Sequence, residues 1–430
     1  MILKVLPSTL SGDNVWAPPS KSIMQRALAL ATFAEGVTML ERPSESDDCT
    51  QAMMMSAQLG ATLELGDDAV AVHGVAHPSP RTDTLTPGES GLGARTFGTL
   101  AALHDNPLQV AREGTLTARS FEGWATTLRT CGAVVEGQGP GDTLSVQGPL
   151  QPGDYELDAN GTSQVITGLL CSLPLLKGDS QLTVHNVTST PYMEMTLEMM
   201  EDFGLQVDAR PLEDTRTWIV NIPGNQRAQA VNMTIDGDWS GAAFLLGLGL
   251  LCAPHSFTIE GLASSVTQAD EAIKGALLFS GCRLAGVDDG IQVFAGKPKA
   301  FEVDLTDCPD LFPPLAAMAV FAKKPSTLKG LHRLGNKESN RGLAIQEEWA
   351  KLGIQVDLDE AKDTLRVHPG RPQASRIDPR GDHRMAMAAA LLGAAGAPVE
   401  ILNAECVAKS YPAFFDDLES LGVAIQVVAK

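Results

Sequence analysis

An α/β fold of two domains, each made of three β-α-β-α-β-β units, is predicted by three observations. The length exceeds what one hydrophobic core serves, a glycine-ended phrase recurs six times, and six helices are apolar on nearly every side. The chain has 430 residues, whereas single cores stop growing at roughly 250–300. The phrases are SAQLGATLEL, LRTCGAVVEG, MEDFGLQVDA, LFSGCRLAGV, WAKLGIQVDL and LESLGVAIQV. Their glycines, Gly60, Gly132, Gly204, Gly281, Gly353 and Gly422, are separated by 72, 72, 77, 72 and 69 residues. A period this steady over the whole chain marks a repeat architecture. Glycine suits the position because a helix commonly ends at positive φ, which glycine adopts without steric cost.

The earlier of the two helices in each unit is the more apolar. In order these are PSKSIMQRALALATFA, GESGLGARTFGTLAAL, ANGTSQVITGLLCSLPLL, DGDWSGAAFLLGLGLL, CPDLFPPLAAMAVFA and GDHRMAMAAALLGAA. Helices without a polar face are buried ones. A short strand follows, as in LQVARE, QLTVHNV, FTIEGL or VEILNA. Then come the amphipathic helix that ends at the repeated glycine and two further strands, as in IQVDLDEAKDTLRVHPG.

The sixth unit stops after VAIQVVAK, one strand short, while MILKVL stands at the start without a unit of its own. The expectation is that this strand completes the C-terminal body. One domain would then comprise residues 18–236 and the other residues 1–17 with 237–430, joined by crossovers near Asn14–Ser20 and Thr234–Asp238. An open solenoid of six units is the alternative that periodicity alone leaves standing.

Composition narrows the function. Hydrophobic residues make up 44% and charged residues 20%, as in an ordinary globular chain. A net charge of −20 with 5% aromatics disfavours nucleic acid and anionic lipid and favours a small ligand. Seven scattered cysteines without a CxxC pair argue against a disulfide framework and a zinc site. MILKVLPSTLSGD lacks the pattern of a secretory leader, and no charge-free run has the flanks of a membrane span, so a cytoplasmic chain is expected.

Charges stand where the apolar helices begin: Lys21 and Arg26, Arg95, Asp238, Asp310, and His383 with Arg384. Taken singly, each reads as a helix cap or surface ion pair. Recurring at equivalent places, they point to a convergent anion site. Free N–H groups at the helix starts, near Ser20, Ser22, Gly91, Thr162 and Ser163, would add to it. Asp310, and Glu338 between Lys337 and Arg341, are the acid–base candidates, with ion-pair scaffolding as the alternative role. Asp47 and Asp48 read as an N-cap and a first-turn acid, without chemistry. Gly137–Asp142, GQGPGD, reads as a turn between strands because it opens no helix, and neither GxxxxGK[ST] nor HExxH occurs.

With these residues in view, the chain resembles the enolpyruvyl transferase family, in its branch acting on shikimate 3-phosphate. The likeness runs from Pro18 to Pro412, through PSKSIMQR, the Arg95 helix, TARSFEGW, NGTSQVITGLL, STPYMEMTLEMM, DGDWSGAAF, PDLFPPLAA, NKESNRGLAI, GDHRMAMA and AKSYPAFF. The resemblance implies an inverse α/β barrel-like arrangement of two three-unit domains with the active site between them. It implies transfer of the enolpyruvyl group of phosphoenolpyruvate to the 5-hydroxyl of shikimate 3-phosphate. Phosphate is released through a tetrahedral ketal, in the shikimate pathway to chorismate and aromatic amino acids. It assigns Asp310, Glu338 and Lys21 to catalysis. Phosphoenolpyruvate falls to Lys21, Gly91, Arg119, Gln164, Arg341, Arg384 and Lys409. Shikimate 3-phosphate falls to Ser22, Arg26, Thr162, Ser163, Gln164, Ser189, Tyr192, Asp310 and Lys337. No metal or cofactor is implied, and the partners are these two small anions, without nucleic acid or membrane, bound by a monomer.

The chain departs from the better-known members at several positions. Glu89, Leu92 and Thr96 stand where those members have asparagine, threonine and proline; Arg333 replaces an asparagine, Asn340 an aspartate and Thr162 a serine. The rival branch, which acts on UDP-N-acetylglucosamine, carries a cysteine in the loop of its second unit, and AREGTLTAR has none. An RNA-end cyclase of the same unit fold is disfavoured by the acidic charge. A decayed paralogue would be expected to lose Asp310 or Glu338, and both are present.

Overall fold

The computed structural model describes residues 1–159, 163–213, 216–262 and 265–429. Among these, the repeats fold into six four-stranded sheets of one topology. In the third repeat, Asp154–Asp158 runs parallel to Ser180–His185, which pairs antiparallel with Trp218–Ile222 and that in turn with Asp208–Pro211. The order is therefore first, second, fourth, third. Burial alternates along the strands, as in Ser180–His185, so one face of the sheet turns to the core and the other to water.

Two sheets take their outer strand from elsewhere in the sequence. Asn14–Trp16, which precedes the first apolar helix, pairs parallel with Ser256–Glu260 of the fourth repeat. Asn232–Thr234, which precedes the fourth apolar helix, pairs parallel with Val37–Glu41 of the first. The sixth sheet runs Ser375–Ile377, Val399–Ile401, Ile2–Val5, Ile425–Ala429, so the N-terminal strand lies inside it, in the place of the fourth strand. The chain forms two compact units: a first of Pro19–Ile235 with Ser265–Thr267, and a second of Met1–Pro18, Asp236–Ser264 and Gln268–Lys430.

The helices of the first unit are α1 (Lys21–Ala31), α2 (Asp47–Gln58), α3 (Gly91–Ala101), α4 (Glu122–Thr130), α5 (Gln164–Ser172) and α6 (Thr190–Asp202). Those of the second are α7 (Trp239–Cys252), α8 (Ile273–Phe279), α9 (Phe312–Ala319), α10 (Arg341–Lys351), α11 (His383–Ala395) and α12 (Phe414–Ser420). The apolar helices α1, α3, α5, α7, α9 and α11 are buried along most of their length. In the second unit α7, α9 and α11 touch one another; in the first, α3 meets both α1 and α5. Gly168 of α5 lies so close to α3 that a Cβ there would stand 2.6 Å from the Thr99 hydroxyl. The six repeated glycines all have positive φ, between 74° and 120°.

Among the described residues six helices open on a side-chain cap: Ser20, Ser46, Ser90, Asp238, Asn340 and Asp382 each accept a hydrogen bond from a backbone N–H of the first turn. The cap of α2 is therefore Ser46 and not Asp47, because the Ser46 hydroxyl already accepts from the Cys49 N–H; Asp47 lies with Asp48 in the first turn, where Asp48 was expected. Gly137–Asp142 is a turn between Val134–Glu136 and Leu144–Gln147, closed by the Asp142 carboxylate, which accepts from the N–H groups of Gln138 and Gly139. The seven cysteines are free thiols, and burial pushes Cys49, Cys131, Cys171 and Cys252 up to about 12. Among the described residues no helix is long and apolar enough to cross a membrane.

The inner position of Ile2–Val5 makes it indispensable to the sixth sheet. Val5 is 0% exposed and stands between Val399 and Ile425. A carboxylate there would be buried without a partner. Val5→Asp is expected to lower the calorimetric melting temperature by on the order of 5–10 °C or to abolish soluble protein; an unchanged transition would contradict the inner placement.

Candidate active site

In the first unit, the starts of five helices are tied together by polar side chains. Ser90, the cap of α3, donates to Gln25 of α1 at 3.0 Å. Arg95, one turn into α3, donates to Gln164 Oε1 at the start of α5 (2.9 Å), to the Gly91 carbonyl and to the Ser120 carbonyl. Its guanidinium also lies 4.1 Å from the centroid of the Phe121 ring. Arg26 reaches from α1 to Thr196 Oγ1 (2.8 Å), Thr167 Oγ1 and the Tyr192 carbonyl, and back to the Ser22 carbonyl (2.9 Å). Lys21, the first residue of α1, meets the Asp48 carboxylate at 2.9 Å.

Arg26 and Arg95 are buried, yet their hydrogen-bond partners are neutral oxygens. Burial accordingly pushes Arg26 down to about 10. It takes Arg95 well below the ordinary arginine range, with repulsion from Arg119 and Arg112 adding to the shift. Such cations are what an anion site needs before its ligand arrives. Arg119 lies over the first residue of α3: a Cβ on Gly91 would stand 2.6 Å from its Nη1, so a larger residue there would displace the guanidinium. Ser163 caps the start of α5 by position and is buried. Ser189, in the left-handed region at φ 58°, opens α6, and its carbonyl accepts the Tyr192 N–H. Thr162 lies outside the described residues.

The second unit is organised around Arg341, whose side chain is 1% exposed. Nε and Nη2 hold Asp382 (2.7 and 3.3 Å), Nη1 holds Asp310 (2.5 Å) and Nη2 holds Glu338 (2.8 Å). Burial opposes its charge, but these three carboxylates outweigh it and raise Arg341 well above its usual range. Asp310 also meets Arg384 Nη2 at 3.1 Å and Lys337 Nζ at 3.5 Å. Burial alone would raise Asp310; Arg384, Lys337 and Arg341 together hold it well below the usual carboxylate range. Lys337 is lowered by burial in spite of Asp310. Lys409 Nζ donates to the Gly381 carbonyl at 2.7 Å, just ahead of the cap of α11. Arg333 is buried and donates to the Thr306 carbonyl, and Asn340 is the cap of α10.

Three carboxylates at these clusters escaped the sequence reading. Asp48 was read as a first-turn acid, and nothing in its neighbourhood shows that it reaches Lys21, 27 residues away. Asp382 lies inside GDHRMAMA and carries the local signature of an N-cap. The same side chain binds Arg341 and accepts from Ser339 and from the Arg384 N–H. Asp270 is 2% exposed; Oδ2 accepts from the Ser240 hydroxyl, while Oδ1 has no hydrogen-bond partner among the described residues. Among the described residues no group of three or more His, Cys, Asp or Glu side chains could hold a metal ion.

Solved structures share this architecture over their full length. An EPSP synthase from Acinetobacter baumannii superposes with a TM-score of 0.81 at 21% identity, covering 100% of both chains. The enolpyruvyl transferase NikO from Streptomyces tendae gives 0.75 at 18%, covering 99% and 98%. The fold is thus that of the enolpyruvyl transferases, two bodies of the inverse α/β type. Sequence likeness narrows the class: the 3-phosphoshikimate 1-carboxyvinyltransferase of Clostridium kluyveri is 32% identical over 98% of this chain and 97% of its own. That of Thermococcus kodakarensis is 34% identical over 94% and 96%. The family model for EPSP synthase (3-phosphoshikimate 1-carboxyvinyltransferase) matches residues 6–418, and the chain belongs to that family.

The orphaned oxygen of Asp270 has a measurable consequence. Burial, with Asp310 and Asp238 on the same side against Arg384 and Ser240, pushes its carboxyl up to about 7. An unfolded aspartate ionises near about 3.9. Between those values the folded chain keeps a proton that the unfolded chain has lost, so this group makes stability fall as pH rises through the window and level off above it. Asp270→Asn cannot ionise. Its melting temperature relative to the native chain should therefore be higher at pH 8 than at pH 5 by a few degrees; the same difference at both pH values would contradict the assignment.

Proposed function

We propose that the chain transfers the enolpyruvyl group of phosphoenolpyruvate to the 5-hydroxyl of shikimate 3-phosphate, releasing phosphate. In this reading Lys21, Gly91, Arg119, Gln164, Arg341, Arg384 and Lys409 hold phosphoenolpyruvate. Ser22, Arg26, Thr162, Ser163, Gln164, Ser189, Tyr192, Asp310 and Lys337 hold shikimate 3-phosphate. Both substrates carry phosphate and carboxylate, and each close opposite charge is worth about 4 kcal/mol at an effective dielectric near 20, before desolvation. The chain works as a monomer in the cytoplasm, which light scattering and cell fractionation would test.

The observation that carries the chemistry is the ring of Arg341, Arg384 and Lys337 around Asp310. In the free enzyme that ring keeps Asp310 ionised. When substrate phosphate and carboxylate engage the same cations, their pull on Asp310 weakens and its proton affinity rises, which suits a base taking the proton of the 5-hydroxyl. As that proton leaves, the hydroxyl oxygen bonds to C2 of phosphoenolpyruvate, while Glu338 delivers a proton to the methylene carbon. The product of addition is the tetrahedral ketal. Its breakdown returns the methyl proton to Glu338 and breaks the bond from C2 to the phosphate oxygen; the departing phosphate takes up the proton held by Asp310, and the cations stabilise the charge it carries.

Phosphate release should follow addition of shikimate 3-phosphate and not of UDP-N-acetylglucosamine. Asp310→Asn and Glu338→Gln are each expected to lower turnover by a factor on the order of 10²–10⁴ with modest change in calorimetric affinity for shikimate 3-phosphate. Near-normal turnover in both variants would return these carboxylates to the role of scaffolding for Arg341.

A further inference from the structure

The short turn Gly114–Ala118 carries Arg119 at its C-terminal end, and its own leading residue, Glu113, makes no capping bond. The cap comes from another element. Glu89, just ahead of the cap of α3, accepts at Oε2 from both the N–H and the hydroxyl of Thr115, at 2.7 and 2.6 Å. At the other end of the turn the Arg119 guanidinium lies over Gly91, two residues beyond Glu89. The Arg119 carbonyl is fixed by Arg112 Nη1 at 3.0 Å. Residues 89–91 therefore grip the turn at its start and at its end.

Two features show that the grip is built in. Gly114 has φ +47°, and a Cβ there would overlap the Glu89 carboxyl group, so any larger residue would push the carboxylate out of the place where it enters the turn. Two donors converge on one oxygen, which an ionised carboxylate accepts more strongly than a neutral amide does. An asparagine side chain would be one methylene too short to place its oxygen there.

We propose that Glu89 is the positioning residue for Arg119, fixing the guanidinium over Gly91 and so setting the affinity for phosphoenolpyruvate. The proposal rests on the assignment of Arg119 to that substrate. It accounts for an acidic residue beside an anion site: its oxygen is taken up by Thr115.

Steady-state kinetics of Glu89→Ala, Glu89→Gln, Arg119→Ala and the Glu89→Ala/Arg119→Ala double variant test it. Shikimate 3-phosphate binding is measured separately by calorimetry. Glu89→Ala should raise KM for phosphoenolpyruvate on the order of 10-fold to 100-fold without changing calorimetric affinity for shikimate 3-phosphate. Glu89→Gln, whose amide oxygen still reaches Thr115, should recover most of the loss. In the Arg119→Ala background Glu89→Ala should add nothing, since a residue that acts through another has no effect once that other is gone. If Glu89→Ala fails to fold, Thr115→Val supplies the same test, with a smaller rise in KM expected because one donor remains. Additive effects in the double variant would overturn the proposal, as would a silent Glu89→Ala beside an effective Arg119→Ala. A silent Arg119→Ala would overturn the substrate assignment as well.

Discussion

A guanidinium sealed from water is costly unless its donors meet acceptors of opposite charge, and the polar interior of the second unit is arranged to meet that demand at Arg341. Asp382 serves it while capping α11, so the start of α10 and the start of α11 are locked by one carboxylate. Asp310 serves it from the turn before α9, which brings a third helix start into the same network. Removing Arg341 would take a cation from three carboxylates at once, leaving Asp310 to Arg384 and Lys337 and Asp382 to its cap and Ser339. The pairings therefore link the three helix mouths to one another through a single guanidinium.

The first unit meets the problem of buried charge differently. Arg26 and Arg95 are as enclosed as Arg341, but hydroxyl and carbonyl oxygens satisfy their geometry without cancelling their charge. One unit thus holds a carboxylate ionised among cations, while the other holds cations whose positive charge no carboxylate among the described residues offsets. Under the proposed function both would change when a substrate anion binds: Asp310 would lose part of the pull that depresses its pKa, and the buried arginines would gain a charged partner.

The repeat was legible because it rests on local physics. A helix that must end at positive φ shows itself as glycine, and a helix buried on all sides shows itself as an unbroken apolar run; both recur six times. Cations at the helix mouths were legible as exceptions to that apolar text. The partners of those cations were not, since an aspartate that caps a helix and one that reaches a lysine 27 residues away look alike in sequence. Asp48 and Asp382 do the second kind of work under the appearance of the first. Likewise Glu89 is conspicuous in sequence only as an acid where an acid is unexpected; its target, Thr115, is 26 residues on and is set by how two loops meet. Which sheet receives Asn14–Trp16 or Asn232–Thr234 is equally a matter of long-range pairing, beyond what strand propensity carries.

The interior seat of Ile2–Val5 bears on how the chain is made. The first unit is drawn almost wholly from one uninterrupted stretch, so its core is available once the ribosome has delivered residues 19–235. The sixth sheet instead brings Ile2–Val5 together with strands far along the chain, Val399–Ile401 on one flank and Ile425–Ala429 on the other. Pairings of such sequence separation carry a loop-closure cost that local pairings escape and so form slowly; the sheet that holds Ile2–Val5 is set to close after the sheets built from neighbouring strands.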